Sequence, residues 1–261
     1  MNAWLALTKK EFRLGLPAFL VSLFLFSGII GGGYLMGDMY GVRDQMLVAA
    51  FGFVVTLHIF YLVFYLIRSL SYERKQLHLW LHNPMPIAGL LSSKIITGIV
   101  YMAITLTLSL LLLTQLFQNT FSLLNQASIF NIGGTILLTI FSFAIYIAIT
   151  FLFFWSIFLA FSQQMNDFLS FILTVITFFL LSWVYNFVMD LSIIETLTTW
   201  GGIQVNDLIV GFEFQAAYEY FDASSISETS ILYVGHILRE FIVAILMFIA
   251  ACWMIDRKVE V

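Results

Sequence analysis

Ionisable residues are scarce in this chain, so the few that interrupt apolar sequence are the first candidates for chemistry. Only 10% of the 261 residues are charged, whereas 61% are hydrophobic. Arg239 and Glu240 are the one ionisable pair well inside an apolar run. Charges at that depth in a membrane face protein or a water-filled cavity, which makes a substrate or gating role one interpretation. A structural ion pair with residues 190–230, or snorkelling to the interface, is the other. Adjacent helical residues point about 100° apart, so we do not expect the two to pair with each other.

Metal and nucleotide chemistry have little support in the residue pattern. His78 and His82 are four residues apart, but no glutamate follows His78 as a zincin helix requires. Cys252 is the single cysteine, so no thiolate cluster can form. The stretch from Gly89 to Lys94 lacks the second glycine of a phosphate-binding P-loop. We therefore predict no metal, no cofactor and no ATP hydrolysis by the chain itself.

The stretch from Arg68 to Lys94 is the most informative polar segment. Leu77, Trp80 and Leu81 follow helical i, i+3, i+4 spacing, and two prolines end the pattern. A charged helix that carries an aromatic residue suits docking to a soluble partner, and an ordinary solvated helix is the equal alternative. The candidate partner-binding residues are Glu73, Arg74, Lys75, Leu77, Trp80, Leu81, Pro84 and Pro86.

The ionisable residues are positioned by long apolar runs. A chain with so few charged residues cannot cover a water-facing surface, so we expect these runs to lie in a membrane. A membrane span needs about 20 mostly apolar residues. Six stretches qualify: Gly15–Gly37, Met46–Ile67, Ile95–Phe117, about Ile132–Phe161, Phe168–Met189, and a run within Ile231–Ile255. The sequence therefore predicts an all-α polytopic membrane protein, with residues 1–261 forming a single transmembrane domain.

The distribution of lysine and arginine predicts the orientation. Cytoplasmic loops of membrane proteins are enriched in these residues. With the N-terminus inside, the cytoplasmic set is Lys9, Lys10, Arg13, Arg68, Arg74, Lys75, Lys94, Arg257 and Lys258, and Arg43 alone lies outside. Both termini are predicted to be cytoplasmic, in a plasma membrane.

Three further segments carry predictions. Residues 1–14 alternate apolar and basic side chains, which is typical of a helix lying in the membrane interface, with a frayed tail as the alternative. Gly33, Gly37 and Gly41 follow four-residue spacing, which indicates close helix packing, with a flexible gate or a subunit contact as alternatives. Residues 190–230 interleave aromatic and acidic residues and are predicted to form short helices at the outer interface.

Two cytoplasmic segments resemble those of type-2 ABC exporter permeases. Glu73-Arg74-Lys75, Leu79–Leu81, Asn83–Pro86 and Ser93-Lys94 are similar to the family's loop between the second and third spans, and Leu7–Phe12 is similar to its connecting helix. The resemblance implies that residues 68–94 contain a coupling helix that rests on a separate ATPase subunit, which binds ATP and Mg²⁺. It also implies a second permease copy or a sister permease, with the translocation path between the two.

The function that the resemblance implies is export of a hydrophobic or amphipathic cargo, such as a lipid-like molecule or a peptide. An ion-coupled carrier or a membrane-embedded enzyme is an alternative, although such proteins usually need several ionisable groups in their spans. A non-transporting immunity or assembly protein is another. No nucleic-acid partner is predicted.

Overall fold

The computed structural model describes residues 3–75, 85–120, 126–204, 210–212, 223–225 and 231–258. Leu77, Trp80, Leu81 and Pro84, the centre of the predicted coupling helix, lie outside the described residues.

Seven helices account for most of the described residues. They are α1 (Ala3–Tyr40), α2 (Arg43–Arg74), α3 (Ile87–Thr120), α4 (Gln126–Ser162), α5 (Asp167–Met189), α6 (Ser192–Thr198) and α7 (Val234–Lys258). All except α6 are long and apolar enough to cross a membrane. The prediction of a multi-pass helical membrane protein with six apolar helices is confirmed.

Two predicted boundaries differ from the structure. Residues 3–14 are not separated from the first span by a break, because α1 runs continuously from Ala3 to Tyr40. The interfacial position of this segment stays a prediction. The first residues of the 68–94 segment are not loop either, since α2 continues to Arg74 and α3 begins at Ile87. A helix of 38 residues is roughly 57 Å long, about twice the hydrocarbon thickness. The membrane-spanning part is therefore shorter than the helix, and the limits of the apolar run do not show where the helix begins and ends.

The chain divides into two compact units, and the larger comprises residues 1–175 and 244–261. Within it, α2 is the central helix and contacts α1, α3 and α4. Leu62, Leu66 and Leu70 of α2 are fully buried in a core that includes Met102 of α3 and Leu152 of α4. Helix α7 adds Ile255 to the same core.

The glycines of α1 have different roles in the structure. A methyl group on Gly33 would lie 2.7 Å from Cβ of Ala50, and one on Gly37 would lie 2.6 Å from Cα of Arg43. These two glycines therefore permit the close approach of α1 to the start of α2. Gly41 makes no such contact; its φ of +70° allows the chain to leave the helix and turn into α2.

The smaller unit comprises residues 176–243. The prediction that residues 190–230 are helical is correct only for Ser192–Thr198 among the described residues. Four three-residue strands follow: β1 (Gly202–Gln204), β2 (Val210–Phe212), β3 (Ala223–Ser225) and β4 (Ile231–Tyr233). β1 pairs with β4 and β2 with β3, both antiparallel. Such short strands carry too few residues for a period-2 pattern to be recognised.

Candidate functional site

A buried ion network joins α1, α2 and α3 at one end of the larger unit. The Lys94 ammonium donates to both carboxylate oxygens of Glu11, each at 3.0 Å, and to Oε1 of Glu73 at 3.1 Å. The hydroxyl oxygen of Ser69 lies 3.0 Å from the same nitrogen. An ammonium has three N–H groups, so four oxygen atoms compete for them and the lysine is fully satisfied.

The network is shielded from water despite its charges. The exposed fractions of the side chains are 1% for Lys94, 2% for Glu11 and 8% for Glu73. Removing ions from water is costly, and mutual attraction compensates only when geometry and hydrogen bonding are good. These contacts meet that condition, and the network contains two carboxyl groups for one ammonium.

Two residues of the network flank the connection between α2 and α3. Glu73 lies at the last turn of α2, and Lys94 lies in the second turn of α3. The connection between these helices is thus held at both ends by one cluster, which also binds Glu11 of α1. The ends of α2 and α3 that flank this connection are therefore linked to α1 by ion contacts.

Aromatic contacts reinforce the attachment of α1 to α3 beside the network. The Tyr101 hydroxyl donates to the carbonyl oxygen of Phe12 at 2.7 Å. The Tyr101 ring stacks on Phe19 with ring centroids 4.8 Å apart and meets the edge of Phe12 at 5.5 Å. Aromatic pairs of this kind stabilise beyond their buried area, so α1 is fastened by polar and apolar contacts together.

The described members of the predicted partner-binding set do not share one environment. Glu73 is buried against Lys94, so its carboxylate does not lie on an exposed rim. Arg74 pairs with Asp167 at the start of α5, and its guanidinium lies 4.8 Å from the Phe158 ring centroid. Lys75 is exposed. The carbonyl of Pro86 accepts backbone hydrogen bonds from the first turn of α3.

Arg239 and Glu240 do pair with each other, which corrects the sequence prediction. Both Nε and Nη2 of Arg239 contact Oε1 of Glu240, at 3.1 and 2.8 Å. Tyr185 donates a further hydrogen bond to the same oxygen at 2.7 Å. The 100° separation applies to the Cβ directions, and the long arginine side chain bends back far enough to overcome it. Helix α7 begins at Val234, before this pair.

His58 is the one histidine in the core of the described residues, and its surroundings are structural. Its Nδ1 lies 2.8 Å from the carbonyl oxygen of Val54, which can only accept, so Nδ1 carries a proton. Its Nε2 lies 3.0 Å from the Thr105 hydroxyl and accepts from it in the neutral ring. The rings of Phe26 and Tyr61 pack beside it, with centroids 4.7 and 5.9 Å from that of the imidazole. No group of three potential metal-ligating side chains occurs within the part of the chain that is described.

Sequence reasoning named neither Glu11 nor Lys94 as a site residue, although both lie in the segments that resemble the permease family. The available signal was that Glu11, Glu73 and Lys94 each flank an apolar run on the predicted cytoplasmic side. Three isolated charges at span borders are ordinary solvated residues in most membrane proteins. The sequence matches no protein-family model, and comparisons with curated proteins and with solved structures find no match either.

Proposed function

We propose that this protein is the membrane-spanning permease subunit of an ABC exporter, driven by a separate ATPase subunit. The observation that carries the proposal is the network of Glu11, Glu73 and Lys94, which ties both ends of the α2–α3 connection to α1. An ATPase that pushes on this connection would move three helices together. That is the mechanical property that energy coupling through a loop requires.

The proposed orientation has both termini in the cytoplasm of a plasma-membrane protein. Lysine and arginine are enriched on the side that carries the α2–α3 connection, as expected of cytoplasmic loops. On this assignment the network lies at the cytoplasmic ends of α1, α2 and α3, where a soluble ATPase has access. Single cysteines at Lys258 and Ser224, in a Cys252→Ala background, should react with an impermeant thiol reagent from opposite sides. Reaction from the same side would refute the orientation.

The proposed cargo is hydrophobic or amphipathic. The helices α5 and α7 leave most of their apolar side chains uncovered within the chain, including Phe171, Phe179, Trp183 and Phe241. Apolar surface of this kind meets lipid or a second permease copy, and a path between two such copies would have few polar groups. An amphipathic peptide or a lipid-like molecule suits a path of this character better than an ion does.

The deciding experiment concerns the ATPase contact. Trp80→Ala should weaken co-purification of the proposed ATPase subunit more than Lys75→Ala does, because buried aromatic residues dominate interfaces and often cost about 2 kcal/mol or more when truncated. Membrane insertion should be unchanged in both variants. Retention of the ATPase and of ATP-dependent transport by Trp80→Ala and by a scrambled 73–86 segment would refute the proposal.

An ion-coupled carrier differs from an ABC exporter in its energy source, which distinguishes the two functions. Proteoliposomes that contain both subunits should transport only with ATP on the ATPase side. Transport by the permease alone, driven by a proton or sodium gradient, would favour the carrier.

A further inference from the structure

A cavity of about 400 Å³ opens between α1 and α2 next to the ion network. Its lining combines charged, hydroxyl and apolar side chains from the ends of the two helices. Leu14, Pro17 and Ala18 of α1 form its apolar side, and Arg13 and Arg68 lie at its polar side. Gly15 allows Tyr65 to pack closely against α1, since a methyl group there would lie 2.8 Å from the Tyr65 ring.

Three cations of this cavity, Arg13, Arg68 and Lys75, have no acidic partner among the described residues. All three are exposed, and the ion pairs of the described chain include none of them. The lining also contains Glu73, but that carboxylate is bound to Lys94. Even if one of the three cations offsets a charge on the second carboxyl group of the network, the lining remains positive. Free guanidinium groups suit oxyanions because they offer paired N–H donors.

A buried hydroxyl in the same lining lacks a proper partner. Tyr65 is 4% exposed, and its hydroxyl oxygen has no partner that satisfies hydrogen-bond distance and angle among the described residues, although the Thr97 hydroxyl lies close enough to interact with it. Thr97 directs its own proton to the carbonyl of Ser93 at 2.8 Å, so it cannot donate to Tyr65. Buried polar groups are normally hydrogen-bonded, so an unmatched hydroxyl on a residue that lines a cavity can act as a donor to a ligand bound there.

The position of the cavity relative to the apolar runs of α1 and α2 indicates where its ligand comes from. Arg13 directly precedes the long uncharged run of α1, and Arg68 directly follows that of α2. Both arginines therefore mark the boundary between apolar core and headgroup layer. A second basic surface adjoins the first, formed by Lys9, Lys10 and Arg13. An apolar wall beneath cationic groups at this level matches a phospholipid, with its acyl chain along α1 and its phosphate between the arginines.

We propose that the cavity between α1 and α2 binds the phosphate of an anionic phospholipid, with Arg13 and Arg68 as the phosphate ligands and the Tyr65 hydroxyl as an additional donor. The proposal requires that the chain spans a membrane and does not depend on the coupling to an ATPase. A free phosphate ester offers the same chemistry to the arginines, but makes no use of Leu14, Pro17 and Ala18.

The test measures lipid affinity of the full-length protein in detergent, with phosphatidylglycerol, phosphatidylcholine and inorganic phosphate as separate probes. The double variant Arg13→Gln/Arg68→Gln should lose at least about tenfold in affinity for phosphatidylglycerol, since charge-assisted hydrogen bonds are lost. The matched control Lys9→Gln/Lys10→Gln also removes two positive charges, both from α1 and outside the cavity. Its affinity for phosphatidylglycerol should stay within about threefold of wild type. Tyr65→Phe should lose affinity with an unchanged unfolding temperature in lipid-free detergent.

Three results would overturn the proposal. Equal losses in the two double variants would mean diffuse attraction to the basic end of α1. Equal affinity of the wild-type protein for phosphatidylglycerol and phosphatidylcholine would mean that the cavity does not select an anion. Displacement of the lipid by millimolar inorganic phosphate would identify a soluble ligand instead. The lipid-free unfolding temperatures exclude misfolding as the cause, because both arginines are exposed and make no ion pair within the described chain.

Discussion

Two charged clusters in this protein differ in burial and in the number of helices that they connect. One links three helices, and the other is mainly a contact between neighbouring residues of one helix. Lys94 binds two acids from two other helices and is 1% exposed. Arg239 binds its own neighbour in sequence, and the side chains of that pair are 24% and 35% exposed. The first cluster fixes the relative position of three helices. The second constrains mainly one helix, with Tyr185 as the contact from another.

The comparison shows that intramembrane charge alone is a poor guide to importance. The sequence singles out Arg239 and Glu240 because they interrupt an apolar run, yet partly exposed ion pairs contribute little. Glu11, Glu73 and Lys94 lie at the borders of apolar runs, where charges attract no attention, and they are buried. The contribution of a charged group to stability depends on its burial and on the number of helices that it connects. Its position within an apolar run is a weaker guide.

The largest expected effect is that of removing Lys94. Lys94→Met leaves two buried carboxylates without a counter-charge, so the free energy of unfolding should fall by about 3–5 kcal/mol. Equilibrium unfolding in mixed micelles would measure it. Lys10→Met removes an exposed lysine of α1 and is the matched control, with an expected change below about 1 kcal/mol. Similar values for the two variants would show that the network does not hold the helices.

The two acids of the network should differ from each other. Glu11 uses both oxygens and Glu73 uses one. Hydrogen bonds to charged groups contribute about 1.5–3 kcal/mol each, so Glu11→Gln should destabilise more than Glu73→Gln in the same unfolding measurement. The reverse order would mean that Glu73, at the end of α2, is the principal partner of Lys94.

Neutralising the whole network should cost less than breaking it. In Glu11→Gln/Glu73→Gln/Lys94→Met no charge remains buried, and replacement of a complete buried ion group is often close to neutral. We expect this triple variant to recover more than half of the stability lost in Lys94→Met. If the losses simply add, the three residues act independently and do not form one network.

The smallest expected effect belongs to the second cluster. Arg239→Leu should lower the free energy of unfolding by less than about 1 kcal/mol, because the pair is partly exposed and Glu240 keeps its bond from Tyr185. Arg239→Lys should be milder still, although it loses the two-nitrogen contact. A loss of transport in the leucine variant without a loss of stability would instead assign the pair a role in the transport path.

The apolar spans were predictable because they depend on composition over about 20 residues, a property that each segment carries by itself. Other elements depend on longer-range contacts. The four short strands, the continuation of α1 from Ala3 to Tyr40 and the turn at Gly41 are set by neighbouring segments. The pairing of Arg239 with Glu240 depends on side-chain reach, which ideal helical directions do not describe.

The six apolar helices, each long enough to cross a membrane, could be predicted from the sequence alone, since transfer of such segments from water to lipid lowers their free energy strongly. Which charges meet depends on how these helices pack. Glu11 and Lys94 are 83 residues apart, and Glu73 and Lys94 are 21 apart. No local pattern links such positions, because their contact exists only once α1, α2 and α3 have packed and excluded water from the space between them.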